Sequence, residues 1–150
     1  MYSRAVKTWI MTALTLLVMT GIFLFSGADG TRSGMQSGFF AGLLFWMNPE
    51  DASFLFRKTA HFTIYLVLGL CMNGTLREWG IHSRSRRAFL SVLLCFLYAC
   101  SDEWHQTFVP GRAGQIRDVL LDTAGSLTGT VAGILIQRPG HRRRKNGTGV

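Results

Sequence analysis

Four apolar segments alternate with polar, Gly-rich or charged stretches along the chain. The first runs from Thr8 to Ala28 without a charge, the second from Thr59 to Leu76, and the last from Val119 to Gln137 with Asp122 as its one charge. A helix needs about 20 residues to cross a hydrocarbon core of about 30 Å. Because these segments lack the two-residue alternation of barrel strands, they predict membrane-spanning helices.

The third segment is too short to span a membrane on its apolar residues alone. It has 13 uncharged residues, from Ala88 to Cys100, and then continues into Ser101-Asp102-Glu103-Trp104-His105-Gln106. A spanning helix must therefore include Asp102, Glu103 and His105. Ionisable groups at membrane depth cost at least about 2.5 to 3.5 kcal/mol each, so they persist where they pair, line a cavity or do chemistry. The sequence around Asp102 is the first candidate for a functional site.

The predicted fold is an all-α integral membrane protein, a bundle of four transmembrane helices over about residues 8–28, 58–76, 87–106 and 118–137. They form one domain, residues 1–137, followed by a basic tail, residues 138–150. Residues 39–47 are apolar but too short to span, which predicts an interfacial or re-entrant segment in the first outer loop. The first segment resembles a secretory signal, but its 21 uncharged residues exceed a signal core of about 7 to 15 and favour a retained helix.

The formal charge of +8 raises the alternative of a nucleic-acid-binding protein, with the basic run at 141–145 as its arm. Four spans with both termini in the cytoplasm place eleven basic residues and one acid on the inner face, a net +10. The outer face then has five basic residues and seven acids, a net −2. This is the positive-inside asymmetry of membrane proteins, and it explains the basicity without a nucleic acid partner. The tail can also contact anionic lipid.

Polar residues at the predicted outer side come from three different spans. Lys58, His61 and Tyr65 are spaced i, i+3 and i+7, so they share one helix face. Asp118 and Asp122 are one turn apart at the start of the fourth span. Four residues at the end of the third span share a face: Tyr98, Asp102, His105 and Gln106. Glu103 lies about a quarter turn away from that face. The turn at residues 109–112 brings the third and fourth helices together.

Gly125, Gly129 and Gly133 recur every four residues in the last span. Small residues at this spacing allow a neighbouring backbone to approach closely, which is a packing face of membrane helices. The partner is either another span of this chain or a second copy in a homo-oligomer. Three cysteines, Cys71, Cys95 and Cys100, lie in predicted spans and have no zinc-type spacing, which favours packing over a disulfide or metal role.

The polar residues are compatible with several kinds of chemistry. Two histidines and several carboxylates can bind a divalent metal, although no helix carries an H-E-x-x-H motif. A carboxylate and a histidine on adjacent helices can act as general acid and base, and four residues are the catalytic candidates: His61, Asp102, Glu103 and His105. Lys58, Arg112 and Arg117 can capture a phosphate, a carboxylate or a peptide terminus. Alternatively, these cations neutralise the acids in a buried network that sets helix packing.

The order of these motifs resembles that of the VanZ-like family. The similarity covers roughly residues 54–136 and rests on three blocks: Arg57-Lys58-x-x-His61-Phe62-x-x-Tyr65, then Tyr98-x-x-Ser101-Asp102-Glu103-x-His105-Gln106-x-Phe108-Val109-Pro110-Gly111-Arg112, then Asp118-x-x-x-Asp122-x-x-Gly125-x-x-x-Gly129. The resemblance implies a small protein of the bacterial inner or plasma membrane. Its pattern falls on these residues: Lys58, His61, Tyr65, Asp102, Glu103, His105, Gln106, Arg112, Asp118, Gly125 and Gly129.

Two positions depart from the family pattern. Ile64 stands where many members carry an acid, and Asp122 stands where an Asn is common. The first change removes a ligand or base and the second adds one.

The family takes its name from a protein associated with resistance to the glycopeptide teicoplanin. The resemblance therefore implies an envelope precursor or a glycopeptide as the expected partner. A shared fold does not by itself fix function. The leading expectation is an outward-facing polar site that binds a cell-envelope component, with a link to glycopeptide susceptibility. One alternative is a membrane-embedded hydrolase or transferase acting on a lipid-linked envelope substrate, and another is a structural or accessory protein. Ten residues are the predicted binding set: Lys58, His61, Tyr65, Asp102, Glu103, His105, Gln106, Arg112, Asp118 and Asp122.

Overall fold

The computed structural model describes residues 3–27, 48–110, 112 and 114–137 of the chain. It contains four α-helices: α1 (Arg4–Ser26), α2 (Pro49–Glu78), α3 (Arg84–Gln106) and α4 (Ile116–Ile136). No strand occurs in these described ranges. The predicted helical fold and its count of four helices are confirmed. The predicted segment at residues 39–47 and the basic tail at 138–150 lie outside the described residues.

The helix ends follow from local sequence. Ser3 and Ser83 cap α1 and α3, each accepting a hydrogen bond from the backbone three residues on, at 3.4 Å in both cases. Helix α2 begins at Pro49, whose fixed φ suits the first turn, and Glu50 and Asp51 then complement the helix dipole. The α2 helix therefore starts well before the predicted span at residue 58.

The connections on either side of α3 are short. Gly80 has a φ of 94°, a left-handed conformation that glycine adopts without strain, in the turn from α2 to α3. Between α3 and α4, the Arg112 N–H donates to the Val109 carbonyl at 3.1 Å, which forms the turn predicted at residues 109–112. Gly111 itself lies outside the described residues. This turn sets the carboxyl end of α3 beside the amino end of α4.

Helices α2 and α4 form the most extensive contact of the bundle. A Cβ atom on Gly129 would lie 1.9 Å from the Leu66 carbonyl oxygen, and one on Gly69 would lie 2.1 Å from that of Ser126. The two backbones therefore meet directly, as the glycine spacing predicts. The glycine face of α4 is filled by α2 of the same chain, and the predicted homo-oligomer through this face stays a prediction.

Helix α1 packs against α2 and α3 through hydroxyl groups. The Thr75 hydroxyl donates to the Met11 carbonyl at 2.9 Å and lies 2.8 Å from the Thr15 hydroxyl. The Tyr98 hydroxyl of α3 donates to the Met19 carbonyl at 2.6 Å. These bonds fix α1 within the bundle despite its largely exposed apolar surface.

Polarity is distributed in the opposite sense to that of a water-soluble bundle. Asp122, Thr130 and Asn73 are fully buried, whereas Trp9 and Leu135 are each 74% exposed. Broad apolar surface of this kind marks contact with a membrane or a partner. Three helices, α1, α2 and α4, are long and apolar enough to cross a membrane. Helix α3 is less apolar because it carries arginines at its start and the acidic motif at its end.

Candidate functional site

One end of the bundle brings together ionisable side chains from three helices. We call it the Lys58 end, and it contains the carboxyl end of α3 and the amino end of α4. The Lys58 ammonium of α2 pairs with the Asp118 carboxylate of α4. This pair lies in the first turn of α4, where an acid also complements the helix dipole. Lys58 and Asp118 were each predicted as site residues from the spacing on their own helices, and the structure brings them into contact.

The centre of the site is a triplet of His61, Glu103 and Asp122, one residue from each of α2, α3 and α4. One ligand-type atom from each residue lies within 4.8 Å of the others. His61 Nδ1 is 3.4 Å from Asp122 Oδ1. Neither atom has a hydrogen-bond partner among the described residues, and Asp122 Oδ2 also has none there. Asp122 is nevertheless fully buried.

Hydrogen bonds hold Glu103 in the triplet. Its Oε1 accepts from Gln106 Nε2 at 3.0 Å, and its Oε2 accepts from the Gln115 backbone N–H at 2.8 Å. Gln106 Nε2 also donates to Asp102 Oδ2 at 3.3 Å. Both carboxylates and the amide are almost fully buried. The loop before α4 therefore orients a carboxylate that belongs to α3.

Arg112 lies at the rim of the same end. Its guanidinium donates to Gln106 Oε1 at 3.3 Å and to the Phe25 carbonyl at 3.4 Å. Burial, together with the positive charge of Arg57, lowers the pKa of Arg112. Asp102 and Glu103 act on it in the opposite direction. Two guanidinium groups thus share one rim beside buried acids.

Two tyrosines line the inner side of the site. Tyr65 is fully buried, and its hydroxyl has no hydrogen-bond partner among the described residues. The ring centroids of Tyr65 and Tyr98 are 6.4 Å apart. One oxygen of Asp102 is also without a hydrogen-bond partner in the described part of the chain. Tyr65 therefore places a hydroxyl group at the base of the site, and packing alone does not require that hydroxyl.

We call the gathered residues the polar cluster: Lys58, His61, Tyr65, Asp102, Glu103, Gln106, Arg112, Asp118 and Asp122. His105, the tenth predicted residue, lies apart from it, because its ring packs against Phe23 of α1 at a centroid distance of 4.5 Å. Glu103 was predicted to lie about a quarter turn from the α3 face that bears Asp102 and His105. In the structure, this rotation points Glu103 toward His61 and Asp122. Glu103, rather than His105, is thus the α3 residue at the centre.

Sequence reasoning missed two parts of this geometry. The Gln115 backbone N–H has no side-chain signature, so its bond to Glu103 could not be predicted from residue types. The proximity of Arg57 to Arg112 depends on how α2 starts, and Arg57 had been counted as an outer charge without a role. Arg117, proposed as an anion-binding cation, is exposed. Its side chain makes no hydrogen bond or ion pair with the described residues.

This set of groups has definite chemical capacities. Carboxylate oxygens and an imidazole nitrogen within 4.8 Å can ligate a cation. An imidazole beside a carboxylate can accept a proton from a bound nucleophile. Arg57 and Arg112 can bind an anion at the rim.

The architecture and the site define a class: small helical proteins with membrane-type helices and a buried ionisable cluster at one end. The chain belongs to the VanZ/LLP1 family, whose model matches residues 11–137. The resemblance seen in the sequence is therefore confirmed, and the matched region contains the whole polar cluster. Searches of curated proteins and of solved structures give no match.

Proposed function

We propose that the protein is a multi-pass protein of the bacterial cell membrane that binds an anionic cell-envelope component at its outer face. The observation that carries the proposal is the polar cluster, because nine polar side chains from three helices and one loop meet at a single end of the bundle. Burial of unpartnered carboxylates costs free energy, and such clusters occur at functional sites more often than elsewhere. Family membership supports the same class of protein.

The rim of the site favours an anionic ligand. The Arg112 guanidinium lies at the rim, where the positive charge of Arg57 also acts, so an anion bound beside Arg112 would be attracted by both. Guanidinium groups bind phosphates and carboxylates with paired hydrogen bonds. The apolar exterior adjoining the rim suits a ligand with a lipid tail, such as a polyprenyl phosphate or pyrophosphate that carries cell-wall precursors.

The outer orientation rests on the charge asymmetry of the sequence, and cysteine labelling in intact cells tests it. Glu50 at the Lys58 end and Arg84 at the opposite end are both exposed, so each is changed to cysteine in a background where the three native cysteines are alanine. A membrane-impermeant maleimide should label the E50C protein and spare the R84C protein. The reverse pattern would put the polar cluster in the cytoplasm and reject the outer site.

Binding is tested with the protein in lipid nanodiscs and undecaprenyl pyrophosphate as the probe. Replacing Arg112 by Gln should weaken the probe's affinity about tenfold or more, since a charge-assisted hydrogen bond contributes about 1.5 to 3 kcal/mol. Arg84→Gln, an exposed arginine change at the other end, is the matched control and should leave the affinity unchanged. Absence of binding by the wild-type protein would reject this ligand class.

A second candidate function is hydrolysis or transfer at a lipid-linked envelope substrate. It is favoured by the 3.4 Å approach of His61 Nδ1 to Asp122 Oδ1, an arrangement suited to activating a nucleophile. Release of phosphate from the bound probe, lost in His61→Gln, would support it. If variants of the cluster lower thermal stability and leave binding intact, the structural or accessory alternative is correct instead. A change in teicoplanin susceptibility on deletion of the protein would test the proposed link to glycopeptides.

A further inference from the structure

We propose that His61, Glu103 and Asp122 bind one divalent transition-metal ion of the zinc class inside the bundle. This inference rests on the proposed function for the identity of the site and adds the cation that would hold an anionic ligand there. The three residues come from three helices, so the ion would link α2, α3 and α4. Their side chains are buried or nearly so, which removes them from competition with bulk water.

The distances suit a metal site. Zinc bonds to histidine nitrogen and carboxylate oxygen are about 2.0 to 2.2 Å long, so two ligand atoms in a tetrahedral site lie about 3.4 Å apart. His61 Nδ1 and Asp122 Oδ1 are 3.4 Å apart already. One ligand-type atom of Glu103 lies within 4.8 Å of one such atom of each of the other two residues, so a side-chain rearrangement would complete the set.

The unpartnered atoms are an independent indication of a ligand. Asp122 is fully buried, and neither of its oxygens has a hydrogen-bond donor among the described residues. His61 Nδ1 is also buried without such a donor or acceptor. Buried polar atoms are nearly always satisfied in folded proteins. Asp122 Oδ1 is 3.4 Å from His61 Nδ1, whereas Asp122 Oδ2 has no such neighbour among the described residues and indicates a missing partner. A cation satisfies both oxygens and the nitrogen at once.

Glu103 has the outer hydrogen bonds that metal-ligating carboxylates need. Gln106 and the Gln115 backbone each donate to one of its oxygens, and each oxygen keeps a second lone pair for a metal. Hydrogen-bond donors of this kind orient the ligating carboxylate and strengthen metal binding. Arg112 in turn donates to the Gln106 oxygen and fixes which way that amide points.

The charges also balance. Lys58 neutralises Asp118 one turn away, which leaves the two carboxylates of the triplet to match the two charges of the ion while His61 binds as a neutral imidazole. Three protein ligands leave an open coordination position, as in catalytic zinc sites. A phosphate or carboxylate oxygen of an anionic envelope ligand can occupy that position.

The test is metal binding by the purified full-length chain in detergent. The protein is stripped with a chelator, and Zn²⁺ binding is then measured by calorimetry and by elemental analysis after gel filtration. Co²⁺ serves as a spectroscopic probe, because its visible absorption reports the coordination number and donor atoms. We expect one equivalent of metal and a four- or five-coordinate Co²⁺ spectrum in the wild-type protein.

Two ligand variants and one control identify the site. His61→Gln and Asp122→Asn should each weaken Zn²⁺ binding about 100-fold or more, because a lost ligand costs at least about 2.7 kcal/mol on the scale of tenfold per 1.4 kcal/mol. Asp51→Asn removes an exposed acid at the start of α2, outside the triplet, and it should retain the affinity of the wild-type protein. Melting temperatures without metal show that each variant is folded.

The outcomes separate this inference from the proposed function. If the stripped wild-type protein takes up no metal, or if Asp51→Asn loses it as fully as Asp122→Asn, the triplet is not a metal site. In that case, binding of undecaprenyl pyrophosphate by the metal-free protein would leave the proposed function standing. Metal uptake without any binding of the pyrophosphate probe would reject that ligand class and leave the metal site established.

Discussion

Two polar regions lie along the same α2–α4 contact and differ in how their groups are satisfied. In the middle of the bundle, the hydroxyls of Ser91 and Thr130 lie 2.9 Å apart, and both donate to the Gly69 carbonyl. In the polar cluster, Asp122 and Tyr65 are equally buried but have unpartnered atoms in the described part of the chain. Neutral, satisfied groups hold helices together, whereas ionisable, unsatisfied groups retain a capacity to bind. We infer that the first region is structural and propose that the second is a binding site.

Both regions depend on the close approach of α2 and α4. A substitution that separates these two helices should therefore lower the free energy of unfolding more than any other change considered below. Gly129→Ala puts a Cβ atom 1.9 Å from the Leu66 carbonyl oxygen, which forces the two backbones apart. We expect a loss of about 3 kcal/mol or more in the free energy of unfolding. The measurement is thermal unfolding in detergent, together with the yield of folded protein.

Two other glycines provide matched controls for that change. A Cβ on Gly133 would make an ordinary contact with Asn73 at 3.5 Å, and one on Gly21 in α1 meets nothing within 4 Å. Gly133→Ala should therefore be tolerated, and Gly21→Ala should be neutral or stabilising by up to about 1 kcal/mol. Equal destabilisation by all three changes would show that the α2–α4 contact is not the close one described.

Removing a buried charge from the polar cluster should have the next largest effect, and in the opposite direction. Asp102 is 3% exposed, one of its oxygens is unpartnered among the described residues, and the other accepts from Gln106. Asp102→Asn keeps that acceptor and removes the charge, so the unfolding free energy should rise by about 1 to 2 kcal/mol. Affinity for undecaprenyl pyrophosphate should rise as well, because a negative charge that repels the anion is lost.

Asp51→Asn, an exposed acid at the start of α2, controls for the loss of charge. It should leave the affinity unchanged and lower the unfolding free energy by no more than its helix-dipole contribution of about 0.3 to 1 kcal/mol. If Asp102→Asn instead lowers the melting temperature and leaves the affinity intact, Asp102 is a structural residue, and the distinction between the two regions fails at that position.

The sequence was sufficient to predict the helices and the membership of the cluster, but not the details of its assembly. Apolar runs predict the existence of each helix, yet the start of α2 was missed because the charged Asp51 and Lys58 interrupt its apolar pattern. Helical periodicity gives the angle between Glu103 and His105. It cannot say which of them faces α4, because that depends on how whole helices pack. The Gln115 backbone donor has no signal in residue types at all.

The middle region should respond to loss of a hydroxyl in proportion to its hydrogen bonds. Thr130→Val removes the contacts to Ser91 and the Gly69 carbonyl and keeps the side-chain volume. We expect a loss of about 0.6 to 1.7 kcal/mol, the range measured for such bonds between membrane helices, with undecaprenyl pyrophosphate affinity unchanged. Thr128→Val is the control, since the exposed Thr128 hydroxyl bonds within its own helix. If Thr130→Val loses binding of undecaprenyl pyrophosphate, the middle region and the polar cluster belong to one site.

The smallest expected change in stability comes from removing the hydroxyl of either of two neighbouring tyrosines, Tyr65 and Tyr98. Tyr65→Phe removes a buried hydroxyl without a partner among the described residues, so the unfolding free energy should stay constant or rise by up to about 1 kcal/mol. Tyr98→Phe removes the 2.6 Å bond to the Met19 carbonyl that ties α3 to α1, and it should lower stability by about 1 kcal/mol. Thermal unfolding of both variants in one detergent measures the difference. If Tyr65→Phe is the more damaging change, its hydroxyl contributes to packing. If it is silent in unfolding but weakens ligand binding, the hydroxyl belongs to the site, because only a ligand would then supply its partner.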